Sequence, residues 1–157
     1  MIRRNMMWIL LIVGFLTIPE TGSAQKVIAR VTISNTIPSV GDTTTVDIHI
    51  DMTGTTELLG AYSASLKWNP AVLAFISTSA GSTKEFNSPG TNANNVNSGN
   101  LRFNQFNRDG ARGIVNIISI TFKATGNKGD TSLVDLEFSA LDAASTFTSP
   151  KTSVIDN

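Results

Sequence analysis

Thr43-Thr44-Thr45-Val46-Asp47-Ile48-His49-Ile50-Asp51-Met52 is the stretch that decides the fold class. Val46, Ile48, Ile50 and Met52 fall on one side of a strict alternation, and Thr45, Asp47, His49 and Asp51 on the other. A β-strand points successive side chains to opposite faces, so this pattern predicts a half-buried strand with its polar face in water. Gly41-Asp42 supplies the turn before it, and Lys26 to Ser34 is an earlier strand of similar character. Downstream, Leu58 to Trp68 places Tyr62, Ala64, Leu66 and Trp68 inward and Ala61, Ser63, Ser65 and Lys67 outward. Asn69-Pro70 ends that strand, because proline fixes its own φ and pushes the residue before it towards an extended conformation.

The same period continues to the end of the chain. Val72 to Thr78 follows the proline turn, then residues 79–100 form a Ser/Asn/Gly-rich loop expected to hold one short strand. Leu101 to Asn107, Ile114 to Thr125 and Thr131 to Ala140 are the next strands, divided by turns at Asp109-Gly110 and at Gly126 to Gly129. Ser153 to Ile155 is a short last strand. Ile114 to Phe122 is apolar on both faces, which predicts a strand interior to its sheet. No apolar stripe of helical period and length interrupts the series. Eight or nine strands with turn signals between them predict an all-β fold, an antiparallel two-sheet sandwich or jelly roll.

Ahead of the strands, Arg3 and Arg4 precede an apolar run from Trp8 to Ile18, and Gly22-Ser23-Ala24 follows Pro19. That order is a secretory signal peptide over residues 1–24, with cleavage before Gln25. The apolar run is shorter than the roughly 20 residues a membrane span requires, so a retained anchor is the weaker reading. The domain then occupies 25–157. The chain has no Cys, which excludes a lipid-anchored lipoprotein and leaves an oxidising compartment tolerable without disulfides. Its 12 basic and 12 acidic residues balance, and losing Arg3, Arg4 and Glu20 leaves the remainder one charge on the acidic side. Neither nucleic acid nor anionic lipid finds an electrostatic footprint on such a chain. The expected setting is secreted: extracellular, at the cell surface or periplasmic, with no membrane contact after cleavage.

Several of these stretches together resemble a known family. Val40-Gly41-Asp42-Thr43-Thr44-Thr45-Val46-Asp47, then Leu59-Gly60-Ala61-Tyr62 through Trp68-Asn69-Pro70-Ala71-Val72-Leu73, are similar to the opening of cohesin domains. Gly99-Asn100-Leu101-Arg102-Phe103 and Ile118-Ser119-Ile120-Thr121-Phe122-Lys123-Ala124 resemble two later strands of that family, in order over about residues 30–155. The resemblance implies a nine-stranded jelly roll related to carbohydrate-binding modules, and a dockerin-bearing partner in an assembly linked to polysaccharide breakdown. It places the partner surface on the sheet of strands 3, 5, 6 and 8, here Leu58–Trp68, Asn95–Asn97, Leu101–Asn107 and Thr131–Ala140. Outward positions on that sheet make Ala61, Ser63, Ser65, Arg102, Asn104, Phe106, Asp135 and Glu137 the candidate partner-binding residues. On strand 3 dockerin binders often carry Asn and Asp where this sequence has Ala61 and Ser63. Direct binding of a polysaccharide, or a structural or adhesive role without either ligand, are the alternatives.

Other constellations have bland readings. Asp47, His49 and Asp51 share a face, but Asp is short and strand neighbours two apart are separated by about 6.6 Å, so a solvated face is expected rather than a metal site. Gln105, Asn107, Asp109 and Gly110 imitate part of a calcium loop, yet Gln105 and Asn116 stand where the loop needs carboxylates; a turn is expected. His49 is the only His and has no predicted nucleophile beside it. Asp135 and Glu137 have spacing compatible with the pair used in glycoside hydrolysis, about 5–9.5 Å apart, but both point outward into water. The sequence therefore predicts no catalytic residue, no metal and no cofactor. Carbohydrate binding usually wants exposed aromatics, and most here are inward. Phe106 turns out with Arg102 and Asn104 under strict alternation, whereas a bulge near Gln105 would reverse it.

Overall fold

The computed structural model describes residues 26–36, 38–147 and 154–156; the leader expected at 1–24 lies outside them. Nine strands are present among the described residues: β1 Lys26–Ile33, β2 Thr43–Gly54, β3 Leu59–Lys67, β4 Leu73–Ala80, β5 Gly90–Asn92, β6 Asn100–Ala111, β7 Ile114–Ala124, β8 Asp135–Ala143 and β9 Val154–Asp156. They form a five-stranded sheet in the order β4-β7-β2-β1-β9 and a four-stranded sheet in the order β5-β6-β3-β8. Neighbours run antiparallel, except that β9 runs parallel to β1.

The alternation read from β2 is the alternation observed. Val46, Ile48, Ile50 and Met52 are buried between the sheets, as are Tyr62, Ala64 and Leu66 of β3 and Leu101 and Phe103 of β6. Trp68 closes one end of this core. Its ring meets Phe122 edge-on at 4.9 Å and stacks on Phe75 at 6.5 Å, while its indole N–H donates to the Leu73 carbonyl at 2.9 Å. The Asn69-Pro70 turn holds Leu73 there: the Asn69 carbonyl accepts from Val72 and Leu73, and its side-chain oxygen accepts from Ala71. Gly99, at φ 71°, passes so close that an added Cβ would lie 2.1 Å from the Trp68 carbonyl oxygen, a contact only glycine permits.

Five local expectations are corrected. The short strand of the 79–100 loop is Gly90–Asn92, and Val96–Ser98 is a turn of 3-10 helix overlapping Asn95–Asn97. Asp109-Gly110 does not end a strand. β6 runs on to Ala111, with Asn107 to Gly110 bulged out opposite Gly60, because the Asn107 side chain accepts from the N–H groups of Asp109 and Gly110; the chain reverses at Arg112-Gly113 instead. β8 begins at Asp135 rather than Thr131, since Leu133 stands in solvent at 82% exposure and 131–134 pair with no strand. β7 is interior to its sheet, as expected, but its core contacts are not two-faced. Ile117 and Ile118 are both inward because a bulge against Ile48/His49 shifts the phase, and Ile114 is exposed. Lastly, the face of Asp47, His49 and Asp51 is not simply wet. Asp51 is 6% exposed, accepting from the Thr53 hydroxyl and N–H at 2.5 and 3.0 Å and from Arg30 at 3.2 Å.

Two further bulges fall on free edges. Ile76 is the extra residue of β4 between Phe75 and Ser77, and Ser139 that of β8 between Phe138 and Ala140.

Candidate partner-binding face

The register of the four-stranded sheet carries all eight candidate residues to one outer surface. Phe106, Ala61 and Asp142 form one row across β6, β3 and β8; Asn104, Ser63 and Ala140 the next; Arg102, Ser65 and Glu137 the third. Lys67 and Asp135 follow, opposite Asn100. On the far side of β6, Gly90 pairs with Asn104 and Asn92 with Arg102. Residues directly opposite in a ladder point to the same face, so the rows define the surface.

Ala61, Ser63 and Ser65 are half-buried, while Arg102, Asn104, Phe106, Asp135 and Glu137 are exposed. Phe106 is 73% exposed, and no bulge intervenes at Gln105, so strict alternation holds up to Asn107. The inner neighbours explain why. Gln105 and Asn107 donate from their side-chain amides to the Glu85 carbonyl at 3.2 and 2.8 Å, and Gln105 accepts from the Ser88 N–H. These bonds tie the middle of β6 to the 3-10 turn Lys84–Phe86, whose Phe86 is fully buried against Tyr62 at 5.8 Å. The loop thus anchors one side of the strand and leaves Arg102, Asn104 and Phe106 on the other.

Lys67 was not among the candidates, nor were Asp142, Ala140 and Asn92, which lie on the same face or its rim. Alternation alone would have found Lys67. Asp142 and Ala140 share the face only because Ser139 is bulged, and no sequence pattern marks that. Lys67 Nζ donates to Glu137 Oε2 at 2.5 Å. The bond holds the Glu137 carboxyl below the usual carboxylate range and the Lys67 ammonium above its own. A general acid of glycoside hydrolysis needs the opposite shift, raised by burial, so the Asp135/Glu137 pair is unsuited to that chemistry.

The outer face of the other sheet is a hydrogen-bonded polar lattice. Ser119 donates to Asp47, Asn116 Nδ2 donates to His49 Nδ1 at 3.3 Å, and Arg30 pairs with Asp51. The Asn116 backbone and side chain also hold Ser82 and Thr83 at the start of the 81–89 loop. His49 thus serves a structural bond to Asn116.

Two flat-faced antiparallel layers with this strand order define a jelly-roll sandwich presenting one open sheet surface. The family model described as Cohesin domain matches residues 29–156, and the chain belongs to the cohesin domain family. Solved structures share the fold at low identity. A non-cellulosomal cohesin from the archaeon Archaeoglobus fulgidus superimposes with a TM-score of 0.63 at 15% identity, covering 83% of this chain and 86% of that one. The second type II cohesin module of the adaptor ScaA scaffoldin of Acetivibrio cellulolyticus gives 0.65 at 12%, covering 83% and 86%. A type II Cohesin-X-Dockerin complex from the same organism gives 0.63 at 14%, covering 83% and 96%. No curated protein sequence matches the chain.

Proposed function

We propose that this chain is a non-catalytic, exported interaction module that engages a dockerin-bearing protein through the outer face of the β5-β6-β3-β8 sheet. Membership of the cohesin family carries the reading, and it is supported by the convergence of Ala61, Ser63, Ser65, Arg102, Asn104, Phe106, Asp135 and Glu137 on that one surface. The centre of the face is low and made of small residues, so a partner can approach the backbone closely. Arg102 and Phe106 stand beside it as residue types that anchor interfaces, one by charge-assisted bonds and one by apolar burial. Among the described residues Phe106 is the sole exposed aromatic of this face. A sugar chain would want several such rings, which favours a protein partner over direct polysaccharide binding. The assembly it joins is one concerned with polysaccharide breakdown outside the cell.

Titration against isolated dockerin modules tests this. Arg102→Ala and Phe106→Ala should each weaken binding by at least about 1 kcal/mol with the fold intact by circular dichroism, and His49→Ala on the opposite sheet should leave it unchanged. Equal affinity of all variants would remove the site from this face. Export is tested by amino-terminal sequencing of the secreted protein, which should begin at Gln25; material beginning at Met1 would show the leader retained.

A further inference from the structure

Residues 81–89 pass from one sheet to the other as a strap with a footing on each. The first footing is a single residue, Asn116 of β7. Its N–H donates to Thr83 Oγ1 at 2.9 Å, its carbonyl accepts from the Thr83 N–H at 3.4 Å, and its side-chain oxygen accepts from the Ser82 N–H at 2.7 Å. The second is the pair Gln105 and Asn107 of β6, and Phe86 is buried between the two. A backbone N–H can only donate, so the Ser82 bond fixes the Asn116 amide with Oδ1 towards the strap and Nδ2 towards His49. Nδ2 is a donor as well. His49 Nδ1, 3.3 Å away, therefore accepts, which puts the hydrogen of the neutral ring on Nε2. The ring is half-buried, with Arg30 opposite it on β1, Asn116 opposite on β7, and Asp47 and Asp51 on either side along β2. These charges are already engaged: Asp47 accepts from Ser119, and Asp51 from Thr53 and Arg30. The cation of β7, Lys123, stands at its far end opposite Thr43, and the strap's own charged residues are Lys84 and Glu85.

A second proton on the ring cannot be accommodated by these bonds. Histidine is the side chain that changes charge between about pH 5 and 8. Once Nδ1 carries hydrogen, two donors face each other where one bond stood. Turning the amide over gives the ring an oxygen to donate to, but it sets Nδ2 against the Ser82 N–H, again donor to donor. Hydrogen bonds from a charged donor are roughly twice as strong as neutral ones, so the oxygen goes to the ring and Ser82 loses its acceptor. We propose that His49 and Asn116 form a proton-sensitive latch, in which protonation of His49 turns the Asn116 amide, releases Ser82 and loosens the strap at its footing on the five-stranded sheet. The latch operates whether or not the opposite sheet holds a partner. Removing the ring is a different perturbation from charging it: without His49 the Asn116 amide has no reason to turn, and Ser82 stays held.

His49 is the only histidine of the chain, so a single imidazole titration by NMR gives the midpoint of the latch. At neutral pH the ring nitrogen shifts should show hydrogen on Nε2 and none on Nδ1; the other tautomer overturns the proposal. Amide exchange of the whole chain is then followed across the titration, each rate corrected for its intrinsic dependence on pH. Ser82 should lose protection by about five- to tenfold with the midpoint of the ring, the worth of one backbone hydrogen bond. Met52, whose N–H donates to the Gly113 carbonyl away from the strap, serves as the reference. Ser82 protection that stays level through the midpoint would mean that the ring swings aside, and the latch fails. Two variants separate it from a merely structural bond. His49→Gln cannot titrate, yet its side-chain oxygen can accept from Asn116, so Ser82 should stay protected throughout. Asn116→Asp offers one oxygen to Ser82 and the other to the protonated ring, so acid should raise Ser82 protection instead of lowering it. An acid loss at Ser82 equal to the parent's, in either variant, overturns the proposal.

Discussion

Tyr62 stands on β3 at 1% exposure, its ring tilted against Phe86 at 5.8 Å and edge-on to Phe103 at 6.2 Å. Its hydroxyl is buried with no hydrogen-bond partner among the described residues, and burial pushes its ionisation well above the usual phenol range. A buried hydroxyl left unpaired costs about 1–3 kcal/mol of desolvation. Tyr62→Phe removes that cost and keeps both ring contacts. It leaves a gap of one oxygen, roughly 10 Å3, worth about 0.2 kcal/mol at about 24 cal/mol per Å3. The Phe variant should therefore be more stable by about 1–3 kcal/mol, raising the melting temperature by about 3–5 °C per kcal/mol for a domain of this size. Tyr62→Ala, which deletes the ring, should lose about 3–5 kcal/mol. Urea unfolding at matched slope measures both. Since this is the only tyrosine in the chain, an alkaline absorbance titration reads its ionisation alone, and phenolate should appear only on unfolding. A Phe variant less stable than its parent would show that the hydroxyl is satisfied and the reasoning wrong.

Asp51 gives a pH signature. The Thr53 hydroxyl and N–H, and then Arg30, hold its carboxyl below the usual range. Its contribution is therefore complete above the unfolded value of about 3.9 and is lost as pH falls through the lower folded value. Asp51→Asn should cost about 1.5–3 kcal/mol at neutral pH, as for hydrogen bonds to a charged group, and should flatten the decline in stability below about pH 4. An unchanged acid limb would remove Asp51 from it. Gly99 and Gly113 both have positive φ, 71° and 77°, but only Gly99 lacks room for a Cβ. Gly113→Ala should cost the about 1–2 kcal/mol of a left-handed residue and Gly99→Ala distinctly more, by thermal melting; equal losses would mean that the Trp68 carbonyl yields freely.

What could be read in advance follows the range of the interaction that fixes it. The alternation in β2 and β3 is a property of ten consecutive residues, and it placed Leu66 in the core and Ser65 on the surface correctly. The resemblance grouped strands 3, 5, 6 and 8 in one sheet, as observed, even with the fifth strand misplaced. Gly90-Thr91-Asn92 has no apolar residue to mark it, because it pairs only at a sheet edge with β6 and buries nothing. The bulges were invisible for a different reason. Ile117-Ile118 looks like a strand buried on both faces until its partner Ile48-His49 fixes the register. Asn107 looks like a strand end until its side chain caps Asp109 and Gly110. Asp51 alternates outward as its neighbours do, and only Arg30, 21 residues away, and Thr53 cover it. The outward set of β8 was half found: Asp135 and Glu137 precede Ser139, whereas Ala140 and Asp142 come after the phase change.

The disposition of the bulges governs how this molecule behaves in a crowd. A free strand edge is a template: another copy can add to it, then a third, and the resulting ribbon grows without limit. Here the two long edges, β4 and β8, are each broken by an extra residue, Ile76 and Ser139, and the other two edge strands are three residues long. An incoming chain finds at most a few consecutive donors and acceptors in step before the spacing fails, so the cost of a growing nucleus is never recovered. Molecules can be held at high local density and still meet as separate bodies, through side-chain surfaces rather than through shared strands.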